Sequence, residues 1–394
     1  MIELDAAKRL VVHIRQCFLC LFDGLSVQPR KSMHYWLSLL SHSPMYWDYP
    51  IITEPVLNDC YTLEIDISRI KKKVGVYKLI ALLNSIEEPL KNILNTTVAN
   101  DCKIKINTNF QRSLYTSPKV NKMQSIFIPL QKESLPGLSL YLHGSMADHS
   151  YTAFSDVDDF VVVRSELWKD AELLIDTASL LTKLAREYQS IDPLQHHGHW
   201  VITEFDLMCY DQGYLPMDVL KGSVRVIGDS QIRYCASVDY SRFIENAKIT
   251  IQSIEKRLGS AEFKGGLNAF ELKCLVGEIS ILPAYIFQAF GNILSKPEAI
   301  DRSNEIFSDA AIKAIEWTSE IRKGFIPFVN NRRTKALKII ARMICCRRHL
   351  SEWLFKKCSS WVDNKRPMGL SPIIIQGIRT FTEESIDLIR SVEK

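Results

Sequence analysis

Leu142-His143-Gly144-Ser145, ten further residues, then Asp156-Val157-Asp158-Asp159-Phe160-Val161-Val162-Val163 is the stretch on which the fold turns. Leu138 to Leu142 follows a Pro136-Gly137 turn and has the apolar character of a strand, which delivers Gly144 and Ser145 to the start of a turn or helix. There, free backbone N–H groups and the Ser145 hydroxyl can hold a phosphate, and a glycine lets it approach closely. Phe160 to Val163 is a short β-branched run, as expected of a buried strand. Asp156 and Asp158 stand two apart, so on a strand both carboxylates leave from the same face. Paired carboxylates suit the hard, oxygen-seeking Mg²⁺, which also binds substrate phosphates.

Outward from this stretch the pattern predicts a mixed α/β unit. Ser125 to Leu130 reads as a further strand, Ser165 caps a helix running to about Tyr188, and Trp200 to Tyr210 reads as the next strand. Lys221 to Ile227 adds a short one. Beyond Tyr240 the chain reads as helical, in segments near 241–258, 268–291, 306–322, 332–358 and 373–392, separated by Gly265-Gly266, Pro297, Pro327 and Pro367. The N-terminal part carries an amphipathic helix from Leu10 to Phe22 and another from Val76 to Leu94. The expected organisation is a mostly helical N-terminal elaboration (1–120), an α/β (α+β) core with a mixed sheet (121–240) and an all-helical C-terminal domain (241–394).

Nucleotidyl transfer needs what the central stretch offers: two divalent ions, one at the attacking hydroxyl and one at the triphosphate and leaving pyrophosphate. A third carboxylate from a neighbouring strand usually completes such a cage. Thr203-Glu204-Phe205-Asp206-Leu207-Met208 supplies two candidates, Glu204 and Asp206, and Asp206 is preferred because it sits between apolar neighbours. Residues 142–163 resemble the signature of the DNA polymerase β-like nucleotidyltransferases: an apolar residue, Gly, Ser, a spacer of about ten, then Asp-apolar-Asp. The resemblance covers roughly residues 124–230. It implies a nucleotidyltransferase core that moves a nucleoside monophosphate from an NTP to an acceptor hydroxyl with two Mg²⁺ or Mn²⁺ ions. Carried over, Gly144 and Ser145 bind phosphate, and Asp156, Asp158 and Asp206 are the catalytic acids and metal ligands. Lys273, on a helix after the sheet, is where relatives often meet the triphosphate.

The match has two departures. Asp159 stands where relatives usually place an apolar residue. On a regular strand it points away from Asp156 and Asp158 towards packing, so it must pair with a base, reach solvent or sit in a bulge. The spacer also carries Asp148, His149 and Tyr151 where small residues are common.

Composition bounds the alternatives. The chain has 394 residues, 46% hydrophobic and 24% charged, with a net charge of +4. That is ordinary for a globular protein and too weakly basic to demand nucleic acid. The ten cysteines do not form a disulfide framework. Cys17 and Cys20 make a C-x-x-C with no second pair at zinc spacing, so they read as reduced core thiols. His13 and Arg15 interrupt the early apolar run, which excludes a secretory signal there, and Pro283 and Gln288 interrupt the apolar stretch from Ile279 to Leu294. A cytoplasmic protein that engages no membrane is expected.

Other constellations remain open. His196, His197 and His199 precede the Asp206 segment and serve either as a polar loop, a metal cluster lacking a distant partner, or an acceptor contact. The basic tract 332–357, from Arg332 and Arg333 to Lys356 and Lys357, is either a solvated face or a contact to an RNA or nucleotide acceptor. Arg342 and His349 match the spacing of a helical HEPN-type ribonuclease, a rival reading. A further rival is a catalytically silent module of the same fold that senses a nucleotide or binds a partner.

Overall fold

The computed structural model describes residues 2–22, 51–68, 70, 73–96, 100–108, 118–131, 133–147, 151–152, 154–192, 195, 198–237, 240–324, 336, 339 and 369–393. The basic tract, including Arg342 and His349, lies outside them apart from Ala336 and Ile339. His196 and His197 lie outside them as well.

Helices α1 (Ile2–Phe22), α2 (Glu54–Thr62) and α3 (Gly75–Leu94) lead to β1 (Asn100–Lys105), α4 (Pro118–Leu130) and β2 (Leu138–His143). Next come β3 (Asp158–Val163), α5 (Ser165–Trp168), α6 (Ala171–Ile191), β4 (Trp200–Thr203), α7 (Glu204–Met208), β5 (Tyr210–Asp211), β6 (Val224–Ile227) and β7 (Gln231–Ser237). The C-terminal region is helical: α8 (Tyr240–Lys264), α9 (Ala269–Ala289), α10 (Lys296–Asp301), α11 (Asp309–Gly324) and α12 (Pro372–Val392).

The strands make two mixed sheets. One runs β4-β3-β2-β6, with β2–β3 antiparallel and β3–β4 parallel; the other runs β1-β7-β5. Period-two alternation sends side chains from the four-stranded sheet into two cores. Leu138, Leu140, Leu142, Val161, Val163 and Val201 pack with residues of α1, α3 and α6. Tyr141, Phe160, Val162 and Ile202 pack on the other side against Ile104, Tyr210, Ile232 and Tyr234 of the second sheet. Every residue of β2 is therefore buried. Burying a side chain of this size contributes about 1.5–3 kcal/mol. The N-terminal helices share this core with the sheet, and β1 pairs along its length with β7.

The helical C-terminal region has its own core, in which Ile251, Leu275, Ile279, Leu282, Ala314 and Phe381 come together. Phe154, from the loop before Asp156, is buried in it as well.

Two expected strands take other forms. Ser125 to Leu130 lies in α4, with Phe127 buried against Tyr188. A short apolar run carries no period that separates strand from helix. The strand expected from Trp200 to Tyr210 stops at Thr203, because Thr203 and Asp206 close a reciprocal capping box that starts α7. The helix expected from Ser165 is broken at Asp170, whose carboxylate accepts from the Glu172 and Leu173 N–H groups and starts α6. Cys17 and Cys20 are buried free thiols.

Candidate functional site

The register of β2 against β3 pairs His143 with Asp158, so the residue after β2 and the first residue of β3 are neighbours. Gly144 opens a single 3₁₀ turn, Gly144–Met146, with φ +68°. A Cβ at this position would stand 3.1 Å from Asp158 Oδ2. Glycine is required there on two counts, the left-handed backbone and the nearby carboxylate. Ser145 lies in the same turn and is half-buried, as is Asp158.

Asp156 precedes β3 at the end of a tight loop. Thr152 and Ser155 stitch that loop, with the Thr152 N–H donating to Ser155 Oγ at 2.9 Å and the Ser155 N–H to the Thr152 carbonyl at 3.0 Å. Phe154 anchors it in the C-terminal core, while Val157 packs in the sheet core. Asp156 thus sits at the seam between the two. Lys273 of α9 reaches across this seam: its ammonium pairs with Asp156 Oδ1 and donates to Asp192 Oδ2 at 2.8 Å. Only 4% of the Lys273 side chain is exposed. Burial alone would lower its pKa, but the Asp156 and Asp192 carboxylates outweigh burial and hold it well above the ordinary lysine value. Arg322 of α11 also lies in the field of Asp156 and Asp158; burial pulls its pKa below the ordinary value and the two acids oppose that pull.

Asp159 faces the helical core and is fully buried. The Tyr188 hydroxyl donates to Asp159 Oδ2 at 2.5 Å, and His199 Nδ1 stands 2.7 Å from the same oxygen. His199 Nε2 meets the Leu181 carbonyl at 2.8 Å. Both ring nitrogens face oxygen acceptors, so both donate and the imidazole is a cation compensating the buried carboxylate. His199 is thereby a packing partner of β3, not a member of a histidine cluster. Burial, reinforced by Asp159, raises the Tyr188 pKa well above its usual value and keeps it a donor.

The structure brings together Gly144, Ser145, Asp156, Asp158 and Lys273. It does not bring Asp206 to them. The Thr203 N–H and hydroxyl donate to Asp206 Oδ2 at 2.7 and 2.8 Å, and Arg15 pairs with Oδ1 at 3.1 Å. Burial, opposed by Arg15 and these hydrogen bonds, raises the Asp206 pKa above the usual range. Thr203 pairs with Val163, at the far end of β3 from Asp158, so Asp206 lies beyond the length of that strand, roughly 16 Å at about 3.3 Å per residue. Glu204 is at the same far end, accepting from the Ser165 N–H at 3.0 Å and pairing with Lys91 at 3.1 Å. The expectation of either as third acid fails because a helix cap, not a strand, follows Thr203.

Two residues at the site carried no sequence reading, Asp192 and Gln195. Asp192 ends α6 and Gln195 comes after it in the approach to β4.

Asp156 and Asp158 offer oxygen donors only, and Gly144 leaves space beside one of them. These residues fit a divalent ion that also carries a phosphate. They do not build a cage of three acids: among the described residues no group of three His, Cys, Asp or Glu is placed to hold a metal. Among the described residues, too, no helix is long and apolar enough to cross a membrane. The chain matches no protein-family model, no curated protein and no solved structure.

Proposed function

We propose that the chain is a metal-dependent nucleotidyltransferase, moving a nucleoside monophosphate from an NTP to an acceptor hydroxyl with release of pyrophosphate. The observation that carries the reading is the register that seats the Gly144-Ser145 turn against Asp158, with Asp156 alongside. Gly144 and Ser145 receive the phosphates through backbone N–H groups and the Ser145 hydroxyl. Asp156 and Asp158 hold Mg²⁺ or Mn²⁺, which neutralises phosphate charge and lowers the pKa of a bound hydroxyl when present. Lys273, an ammonium already drawn to Asp156, is placed to take over a phosphate oxygen as the acid turns to its ion. The mildly basic chain favours an RNA end or a nucleotide as acceptor over a cationic small molecule.

The test is incubation of the full chain with each labelled NTP, Mg²⁺ or Mn²⁺ and candidate acceptors, monitoring pyrophosphate release. Full transfer by an Asp156→Ala/Asp158→Ala variant would sink the assignment. One observation favours a second reading, a silent nucleotide-sensing module: Lys273 already neutralises Asp156. NTP binding that is indifferent to metal and yields no pyrophosphate selects that reading.

A further inference from the structure

Asp158 is the first residue of β3, and β4 begins opposite Phe160, so the backbone at Asp156 and Val157 overhangs β4. Val157 is fully buried. Its N–H and C=O would be left without partners by the sheet alone, which buried backbone groups rarely tolerate. The Gln195 side chain fills the gap. The Val157 N–H donates to Gln195 Oε1 at 3.0 Å, and Gln195 Nε2 donates to the Val157 carbonyl at 2.9 Å. One primary amide thus replaces one residue of a neighbouring strand, between the two acids.

The same stretch touches the flanking residues in order. Asp192 holds Lys273, which holds Asp156; Gln195 holds Val157; His199 holds Asp159. Gln195 is itself tied down, since its N–H donates to the Asp192 carbonyl at 2.9 Å and the residue is 1% exposed.

We infer that Gln195 is a positioning residue of the acid site, fixing the backbone between Asp156 and Asp158 so that their carboxylates converge on one divalent cation, with Asp192 and His199 restraining the residues on either side. The inference rests on the reading of these acids as metal ligands. Its competitor is a purely structural role, in which Gln195 only satisfies two buried polar groups. Loss of the amide separates the two. A structural role costs stability alone; a positioning role also costs cation affinity, because groups that orient metal ligands are worth roughly 10–100-fold in binding.

The probe is Mn²⁺ alone, titrated against the full chain and read by electron paramagnetic resonance of the free ion, with unfolding midpoints measured in parallel. Gln212 is the matched control: it is 5% exposed, and its Oε1 accepts from the Met217 N–H at 2.8 Å, remote from the acids in the chain's fold. The wild type is expected to bind Mn²⁺ and Asp156→Ala/Asp158→Ala to lose it. Gln195→Ala, and Gln195→Met which keeps the side-chain length, are expected to bind roughly 10–100-fold more weakly. Gln212→Ala should lose comparable stability and keep wild-type affinity. Wild-type affinity in a folded Gln195 variant overturns the inference and leaves the acid site standing. Equal weakening in Gln212→Ala assigns the effect to stability and also overturns it. A wild type that binds no Mn²⁺ removes the metal-ligand reading itself, and the inference with it.

Discussion

Beyond the end of β4, Asp206 meets Arg15; before the start of β3, Asp156 meets Lys273. Both aspartates are buried and both face a buried cation. At the β4 end the carboxylate is consumed by local geometry: two donors from Thr203 occupy one oxygen and Arg15 the other, with the guanidinium lying 3.9 Å over the Tyr214 ring. At the β3 end a half-exposed aspartate, a second buried acid and a glycine turn adjoin the pair. A capped aspartate has nothing left to offer a ligand, whereas converging acids gain by one. The same residue type therefore reports on stability at one end and on chemistry at the other.

The largest expected effect breaks the β3 end. Asp156→Ala/Asp158→Ala should lower kcat/KM by on the order of 10³ with the fold retained, measured as pyrophosphate release alongside a melting curve. The reverse pattern is expected of Asp206→Ala: a loss of about 3–5 kcal/mol in urea unfolding, because Arg15 is left buried and unpaired, with activity per folded molecule preserved. If Asp206→Ala spares stability and abolishes transfer, the contrast between the ends is wrong.

Lys273→Met sharpens it further. Two buried carboxylates, Asp156 and Asp192, then lose their shared cation, so the variant should melt below the wild type and recover more than the wild type does on adding Mn²⁺. An ion at 100 times its Kd restores about 2.7 kcal/mol. Equal responses of the two proteins would deny that lysine and metal address the same acid. Gly144→Ala should cost about 1–2 kcal/mol for its left-handed backbone and, by crowding Asp158, weaken Mn²⁺ binding.

How much of this was legible in the residues depends on the range of the forces involved. β2 and β3 were readable because burial on both faces demands unbroken apolar runs. The obligation on Asp159 was readable as well, since a carboxylate on a strand face turned to the core needs a partner; which partners, Tyr188 and His199, is a matter of tertiary placement. The Thr203-x-x-Asp206 spacing was a helix-start signal that competed with partial alternation, and the local hydrogen bonds won. β1 was not readable, because its Asn100, Asp101, Lys103 and Lys105 carry no apolar alternation and it becomes a strand by pairing with β7. Gln195 had no local signature at all. A side chain that completes another segment's backbone pairing is visible only after the chain has folded.

The smallest expected effect concerns α1, which supplies Arg15 to the β4 end. His13 is enclosed beside the Ile51 carbonyl, 2.8 Å from Nε2, and burial lowers its pKa below 6.5 despite that hydrogen bond. As pH falls past 6.5 the unfolded chain takes up the proton first, so the stability contributed by neutral His13 declines until the folded ring titrates too. His13→Gln should flatten this part of the stability–pH curve, by chemical denaturation at a series of pH values.

Phe154 and Lys273 cross the seam in opposite directions, a ring from the acid loop into the C-terminal core and an ammonium from that core to the acid loop. Peeling the C-terminal helices away would strand an aromatic side chain in water and leave two acids buried without their cation. Partial unfolding along this line costs almost as much as complete unfolding, so heat should melt the chain in one cooperative transition despite its two cores.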